Sequence, residues 1–344
     1  MKEMVLSFKG LGKIFLLGGG ELLTLCALDL RATGADVVVV TSPRQAGELI
    51  SSGKTLSQQL ANDRIVSYST ADINSDANIL NLIDDGAIGL SIAASWIFKL
   101  PFIRRFEGRL LNCHSMRLPR DRGSGGFSWL IMNGDHEGAC LVHQVDEGLD
   151  TGPIVSQRTF PYPPACRLPN DYRKTFLAEN RLFLRQLFND IREMHDFPLT
   201  HQLHDLSTFW PRLSTEHHGF IDWSWSLQEI ERFICAFDEP YHGASTFIKG
   251  QRVHVKNCSA AFGDGAFHPF QRGLVYRQSG DTQFVATSQG TLILGAVTDH
   301  GGANFSKGIS LGDRFYTPIQ ELESARQFRA VFTPSGLKNS ARTH

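Results

Sequence analysis

Residues 13–42 read KIFLLGGGELLTLCALDLRATGADVVVVTS, and this stretch decides the fold class. KIFLL is an apolar run that breaks at Gly18, Gly19 and Gly20, apolar residues at helical spacing follow up to Gly34, and DVVVVTS is a second apolar run without polar alternation. A run of that kind suits a strand buried on both faces. Strand, tight turn, helix and buried strand together make a βαβ unit of a parallel sheet. The dinucleotide fingerprint needs G-x-G-x-x-G, and Leu23 stands where the third glycine belongs. The glycines are therefore read as the turn that opens a doubly wound sheet rather than as a nicotinamide site.

The same alternation continues outward. SSGKT at 51–55 suggests a phosphate loop, but counting from Gly47 leaves five residues before Gly53 where four are needed, and no strand precedes it. It reads as a polar loop before the helix TLSQQLAN (55–62). RIVSYS (64–69) and AIGLSIAAS (87–95) read as strands, NILNLIDD (78–85) as a helix, and SWIFKLPFIRRFEG (95–108) as a turn and short helix. Four prolines in FPYPPACRLPN (160–170) end the sheet, and residues 175–194 have the periodicity of a long amphipathic helix. From Gly219 the texture changes to one helix (226–237) and several short strands punctuated by glycine, the pattern of a small antiparallel barrel. The expected architecture is α/β: a doubly wound, mostly parallel, Rossmann-like sheet in residues 1–205, opened by a short lead-in, then a linker at 206–218 and a smaller OB-like β-barrel domain at 219–344.

Composition narrows the function. Of 344 residues, 42% are hydrophobic and 20% charged, which suits a soluble globular chain with a substantial core. A formal net charge of -1 supplies no global attraction to nucleic acid or anionic membrane. The six cysteines form no CxxC pair and lie mostly in apolar runs, so they are expected to be reduced core residues of a cytoplasmic protein, with no metal site. No secretory leader and no run of 18 or more apolar residues is expected.

The chemistry concentrates in residues 110–155, LLNCHSMRLPRDRGSGGFSWLIMNGDHEGACLVHQVDEGLDTGPIV. Asn112 and His114 are two apart, so on a strand they share one face, at the kind of strand end where open α/β sheets bind ligands. Asp150 follows 36 residues later in a loop bounded by Gly148 and Gly152. An amide, an imidazole and a carboxylate together can polarise a carbonyl and manage protons. No nucleophile accompanies them: the residues around Ser128 are not G-x-S-x-G, and Cys113 alternates to the opposite face. That combination favours direct acyl transfer over a covalent intermediate.

The stretch resembles the 10-formyltetrahydrofolate-dependent formyltransferases, enzymes that act on methionyl-tRNA, glycinamide ribonucleotide or sugar nucleotides. The resemblance rests on Asn112-Cys113-His114-Ser115, on Leu118-Pro119 with Arg122-Gly123, on Asn133-Gly134, and on Val145-Asp146-Glu147-Gly148-Leu149-Asp150-Thr151-Gly152. It covers residues 12–200, and FIDWSWSLQEIERFICAFDEPYHGASTF (220–247) is similar to the start of the C-terminal domain of the tRNA and sugar enzymes. The resemblance implies Asn112, His114 and Asp150 as catalytic residues and 10-formyltetrahydrofolate as formyl donor. Asn112 and His114 would stabilise the oxygen of a tetrahedral intermediate, while Asp150 would hold His114 in its useful protonation state. It also implies a pterin held by Ala93, Ser95, Trp96 and Ile97 on one side and by Val145, Asp146, Gly148 and Leu149 on the other.

Departures from the family pattern bear on the acceptor. Ser115 follows His114 where proline is usual, Met116 and Arg117 replace the usual leucines, and RGSGGFSW replaces a more familiar run. Ser115, Arg117, Arg122, Phe127 and Trp129 are the expected acceptor-side residues, and Trp223, Trp225 and Tyr241 are further candidates for base stacking, each weighed against ordinary core packing. Residues 219–344 hold four Lys and eight Arg against six Asp and five Glu, a net of +1, a weak platform for a phosphate backbone. The preferred acceptor is a small amine on a nucleotide-linked sugar. Methionyl-tRNA is the second expectation, and an amino-acid or peptide-synthetase-type amine the third. A non-catalytic folate- or nucleotide-binding regulatory protein is the reading from another class, and a homodimer through the barrel, as in some sugar-modifying relatives, stays open.

Overall fold

The computed structural model describes residues 4–123, 126–334 and 336–338. Ser124 and Gly125 of the atypical RGSGGFSW run, the first three residues of the lead-in, and the end of the C-terminal domain at Ser335 and residues 339–344 lie outside the described residues.

The N-terminal half is built on a seven-stranded mixed sheet. Its spatial order is Val66–Ser69, Val37–Thr41, Ile14–Gly18, Ile88–Ile92, Leu110–His114, Glu137–Gln144 and Ile154–Pro161. The first five strands run parallel, and the last two join antiparallel. The strands Ile14–Gly18, Val37–Thr41 and Ile88–Ile92 are buried at every position, which is why their sequences are apolar apart from Thr41 and Ser91. Val66–Ser69 is exposed throughout because it forms the edge.

Both faces of the sheet are covered. On one, helices Glu21–Ala32 and Pro169–Arg192 pack over Leu16, Val39 and Leu90 and are joined by a bidentate Arg181–Asp29 pair at 2.7 and 2.8 Å. On the other, Phe15, Phe102 and Phe106 form an aromatic layer, with Phe15 and Phe106 edge to face and their centroids 5.9 Å apart. Each such fully buried side chain contributes about 1.5–3 kcal/mol relative to exposure.

Several elements differ from the sequence expectation for local reasons. The long helix starts at Pro169 rather than 175, because proline fits the first helical position and the Asp171 carboxylate accepts the N–H groups of Arg167 (3.1 Å) and Leu168 (3.0 Å). The helix expected over 78–85 is one turn, Ala77–Leu80, capped by Asp76 and followed by turns at Asn81–Leu82 and Asp85–Gly86. In the lead-in, Val5–Leu6 pairs antiparallel with Phe197–Pro198. Within the expected linker, Thr208–Trp210 pairs in parallel with Asp121–Gly123, and Thr215–His218 forms a helical turn.

The C-terminal part contains a five-stranded antiparallel sheet in the order Ala244–Ile248, Gln251–Phe262, Gly290–Thr298, Thr282–Thr287, Val275–Ser279. Of the domain expected as an OB-like barrel, the antiparallel sheet is what the structure shows, because the sequence reveals short alternating strands but not how their edges meet. Here the irregular chain near residues 314–316 bridges both edges, Tyr316 to Phe247 and Arg314 to Leu274. Helix Leu227–Ala236, started by a Ser226–Glu229 capping box, joins the two halves: the Ser128 hydroxyl donates to the Ala236 carbonyl at 2.7 Å. All six cysteines are buried and free. Among the described residues, no helix is long and apolar enough to cross a membrane.

Candidate active site

A cavity of about 870 Å³ opens at the carboxyl ends of the central strands. Its back wall begins at Gly19, just past Gly18, where a side chain would collide with the Ile92 carbonyl and the Ala94 backbone, so glycine lets the two strand ends approach. Beyond it the chain turns through Ala93, which has a φ of 51°. The Gln45 amide holds that turn by donating to the Ala93 carbonyl at 2.7 Å.

Asn112 and His114 point from strand Leu110–His114 into this cavity, and both line it, as does Asp150. Parallel pairing sets Asn112 beside Ser91, and antiparallel pairing sets it opposite His143. The Asn112 amide donates to His143 Nε2 at 3.1 Å, because His143 Nδ1–H is committed to the Gln144 carbonyl at 2.7 Å. His114 Nε2–H donates to the Asp121 carbonyl at 2.9 Å, which leaves its Nδ1 facing Asp150 Oδ1 at 3.7 Å. His143 Nε2 lies at the same 3.7 Å from that oxygen.

The loop that returns Asp150 is itself braced. Asp146 accepts from the Gly148 N–H at 3.1 Å and from the Thr151 hydroxyl at 2.6 Å. Asp150 takes a φ of 53°, a region that Asp tolerates better than most residues. Its Oδ2 accepts the Gly123 N–H at 3.0 Å. Buried Gln202 donates to the carbonyls of Asp150 (3.0 Å) and Gly152 (2.7 Å). At Gly152 a side chain would run into the Gln144 carbonyl, so the return path requires glycine.

Electrostatics follow from this packing. Burial disfavours the imidazolium and pulls the His114 pKa below its ordinary value, outweighing the opposing pull of the Asp150 charge. Burial by itself would raise the Asp150 pKa, but His143, the charge of His114 and the Gly123 N–H together bring it below the usual carboxylate value. At neutral pH the site therefore holds a neutral imidazole beside an ionised carboxylate, with an amide N–H at its edge. That set can hydrogen-bond an oxygen that gains negative charge and accept a proton. The donor atoms of His114, His143 and Asp150 all lie within 4.8 Å of one another, so the same three could hold a metal ion.

The other expected residues divide. Ala93, Trp96, Ile97, Val145, Asp146, Gly148 and Leu149 line the cavity, with Ile97 and Leu149 81% and 56% exposed at its mouth. Ser95 turns instead toward the Ser42 hydroxyl at 3.0 Å. Ser115, Phe127 and Tyr241 line the same cavity. Arg117 and Trp129 line a separate one of about 370 Å³. Arg117 is drawn there by three carboxylates, Asp121, Asp135 and Glu137, and Trp129 by Trp210, 5.1 Å away. Arg122 is buried and donates to Gln202 Oε1 at 2.9 Å, so it braces the Asp150 loop from behind. Trp223 is buried against Phe315, and Trp225 packs on Phe233.

His143, Gln202 and Arg212 escaped the reading of the sequence. His143 carried one legible signal, its place in an apolar strand two residues before the loop that bears Asp150. Arg212 lines the cavity with Arg44, which pairs with Glu48. Desolvation, then the like charge of Arg44, lower the Arg212 pKa, although the residue is exposed.

Comparisons with known proteins agree with this architecture. Residues 13–185 match the formyl transferase family model, and residues 214–306 match that of the formyl transferase C-terminal domain. A methionyl-tRNA formyltransferase from Streptococcus pyogenes serotype M49 is 28% identical over 271 residues, 78% of this chain and 84% of the relative. Among solved structures, the sugar 3N-formyl transferase WlaRD, with dTDP and 5-N-formyl-THF, superposes with a TM-score of 0.63 at 18% identity, covering 84% of this chain and 98% of that one. An N-formyltransferase from Helicobacter canadensis, in complex with folinic acid and dTDP-3-aminofucose, gives 0.62 at 18% identity, with 82% and 98% covered.

Proposed function

This chain belongs to the formyl transferase family, and we propose that it moves a formyl group from 10-formyltetrahydrofolate to the primary amine of a nucleotide-linked amino sugar. The observation that carries the reaction is the meeting of Asn112, His114, His143 and Asp150 at the base of one large cavity, with no nucleophilic side chain among them. The folate supplies an electrophilic formyl carbon, and its ring system suits the wall formed by Ala93–Ile97 and Val145–Leu149. The Asn112 amide hydrogen-bonds the formyl oxygen as it gains charge, a contribution whose loss commonly costs about 10²- to 10³-fold in rate, and His114 can add a second donor only once its Nδ1 has taken up the amine proton. Ionised Asp150 takes the proton of the attacking amine, directly or through His114.

The sugar-nucleotide acceptor is supported by the charge layout. Arg44 and Arg212 stand together in the cavity wall, where they can meet a diphosphate, and Tyr241 lies near them. In the C-terminal part Lys249, Arg252, Lys256, Arg277 and Arg326 are held in ion pairs within the chain, as Arg44 is with Glu48, and the net charge of +1 over residues 219–344 is a weak attraction for a nucleic-acid backbone. The second reading, methionyl-tRNA as acceptor, draws on the 28% identical relative of that name.

The test follows tetrahydrofolate release from 10-formyltetrahydrofolate over a panel of dTDP- and UDP-linked amino sugars and charged initiator tRNA. Turnover with an amino-sugar nucleotide is expected. Formylation of tRNA with no sugar turnover would replace the first acceptor by the second, and folate binding with no turnover on any acceptor would favour a non-catalytic binding protein.

A further inference from the structure

We propose that His114 Nδ1, His143 Nε2 and Asp150 Oδ1 form a binding site for a divalent transition-metal ion of the zinc type, and that filling it shuts the active site. The three atoms lie within 4.8 Å of one another, with Asp150 Oδ1 3.7 Å from each imidazole nitrogen.

The outer hydrogen bonds fix what these atoms present. His114 gives its Nε2–H to the Asp121 carbonyl at 2.9 Å, and His143 gives its Nδ1–H to the Gln144 carbonyl at 2.7 Å. Metal-binding histidines are held in this manner, with the far N–H on a backbone carbonyl or carboxylate so that the lone pair of the other nitrogen faces the ion. Asp150 is oriented in the same sense: Oδ2 is occupied by the Gly123 N–H at 3.0 Å, which leaves Oδ1 inward. Two imidazole lone pairs and a carboxylate oxygen thus converge, with the Asn112 amide on His143 Nε2 as the donor that answers them. A cation relieves their mutual repulsion.

Two nitrogens and one oxygen select the ion class. Magnesium and calcium prefer all-oxygen sites, whereas imidazole with carboxylate suits zinc and its neighbours. Tetrahedral ligands at about 2.0–2.1 Å from zinc stand about 3.3 Å apart, so the two 3.7 Å separations must close by about 0.4 Å and the two imidazole nitrogens, within 4.8 Å of each other, by up to about 1.5 Å, a movement of side chains rather than backbone. The cavity supplies the fourth position. His143 Nε2 must release the Asn112 amide, now 3.1 Å away, so loading the ion also removes the partner that orients Asn112. The shutdown half of this proposal rests on the formyl-transfer reading, and the binding half does not.

The experiment titrates the chelator-stripped full chain with Co²⁺ as a spectroscopic probe, then with Zn²⁺, and in parallel measures formyl transfer with added Zn²⁺ and EDTA. One equivalent of Co²⁺ giving visible d–d absorption, bleached by Zn²⁺ and unaffected by Mg²⁺, is expected. His143→Ala is expected to weaken binding by about 10-fold or more. His195→Ala, altering an exposed histidine beside Asp190 and Glu193, should leave the site's signal unchanged. Thermal melts of both variants guard against misfolding, and Asp150→Asn serves as a second binding variant if His143→Ala fails to fold. No stoichiometric binding, or binding indifferent to both site variants, overturns the proposal. Transfer that continues with the ion bound overturns the shutdown half. Binding by a chain that turns over no acceptor upholds the metal site and counts against the formyl-transfer reading instead.

Discussion

Replacing Asp150 by asparagine separates chemistry from folding at this site. Asparagine tolerates the φ of 53° that this position demands, and its carbonyl oxygen can still accept the Gly123 N–H now held at 3.0 Å. Its amide nitrogen then faces the inward nitrogens of His114 and His143, each 3.7 Å from the present Oδ1, with a donor where there was an acceptor. Stability should therefore change by no more than about 1 kcal/mol. Asp150→Ala, by contrast, forfeits a charged hydrogen bond at a left-handed backbone position, and about 2–4 kcal/mol of destabilisation is expected. The ionised carboxylate takes the amine proton, directly or through His114, so Asp150→Asn should lose about 10²- to 10⁴-fold in kcat/KM, equal to about 2.7–5.4 kcal/mol of barrier. The measurement is steady-state tetrahydrofolate release beside urea unfolding of both variants. There is an independent check in acid. Because the folded-state pKa of Asp150 is depressed, its stability contribution is present above the unfolded value near 3.9 and is lost as pH falls through the folded value. That acid loss should shrink in Asp150→Asn. Turnover of Asp150→Asn within tenfold of the parent would refute the assignment of Asp150 as the proton acceptor.

Three further outcomes are expected. Gly152→Ala places a methyl group against the Gln144 carbonyl and should cost about 2–4 kcal/mol, read as a fall in denaturation midpoint, with most activity lost. Arg44→Ala and Arg212→Ala should each raise the KM for a sugar-nucleotide acceptor about tenfold or more while the KM for the folate changes little; equal effects on both substrates would place these arginines elsewhere in the reaction. His114 has a folded-state pKa depressed by burial, so its neutral form persists below pH 6.5 and the acid limb of kcat/KM should fall below that ordinary histidine value. A limb at or above it would mean that another group controls the rate. The same depression makes its stability contribution complete above about pH 6.5 and progressively lost as pH falls toward the folded value.

Local patterns in the sequence were sufficient for the parallel half of the sheet and for two sides of the active site. Short apolar runs rich in Val and Ile and bounded by glycines and polar turns read as strands buried on both faces, and the period of two along Leu110–His114 puts Asn112 and His114 on one face of the strand. The glycines around Asp150 marked the returning loop in the same way. Long-range pairing decided the rest. His143 enters the site through antiparallel register with Asn112, 31 residues away, and a slip of one residue would turn it to the opposite face. Arg122 and Arg117 look alike in the sequence as basic residues beside the catalytic strand. One is taken by Gln202, 80 residues on, and the other by carboxylates at 121, 135 and 137, so neither lines the main cavity. The same holds for the C-terminal sheet, whose strands are plain in the sequence but whose edges meet a chain segment up to 69 residues away, Phe247 with Tyr316. Periodicity is a property of neighbouring residues and survives without the fold, whereas register and charge pairing exist only once distant segments have been brought together.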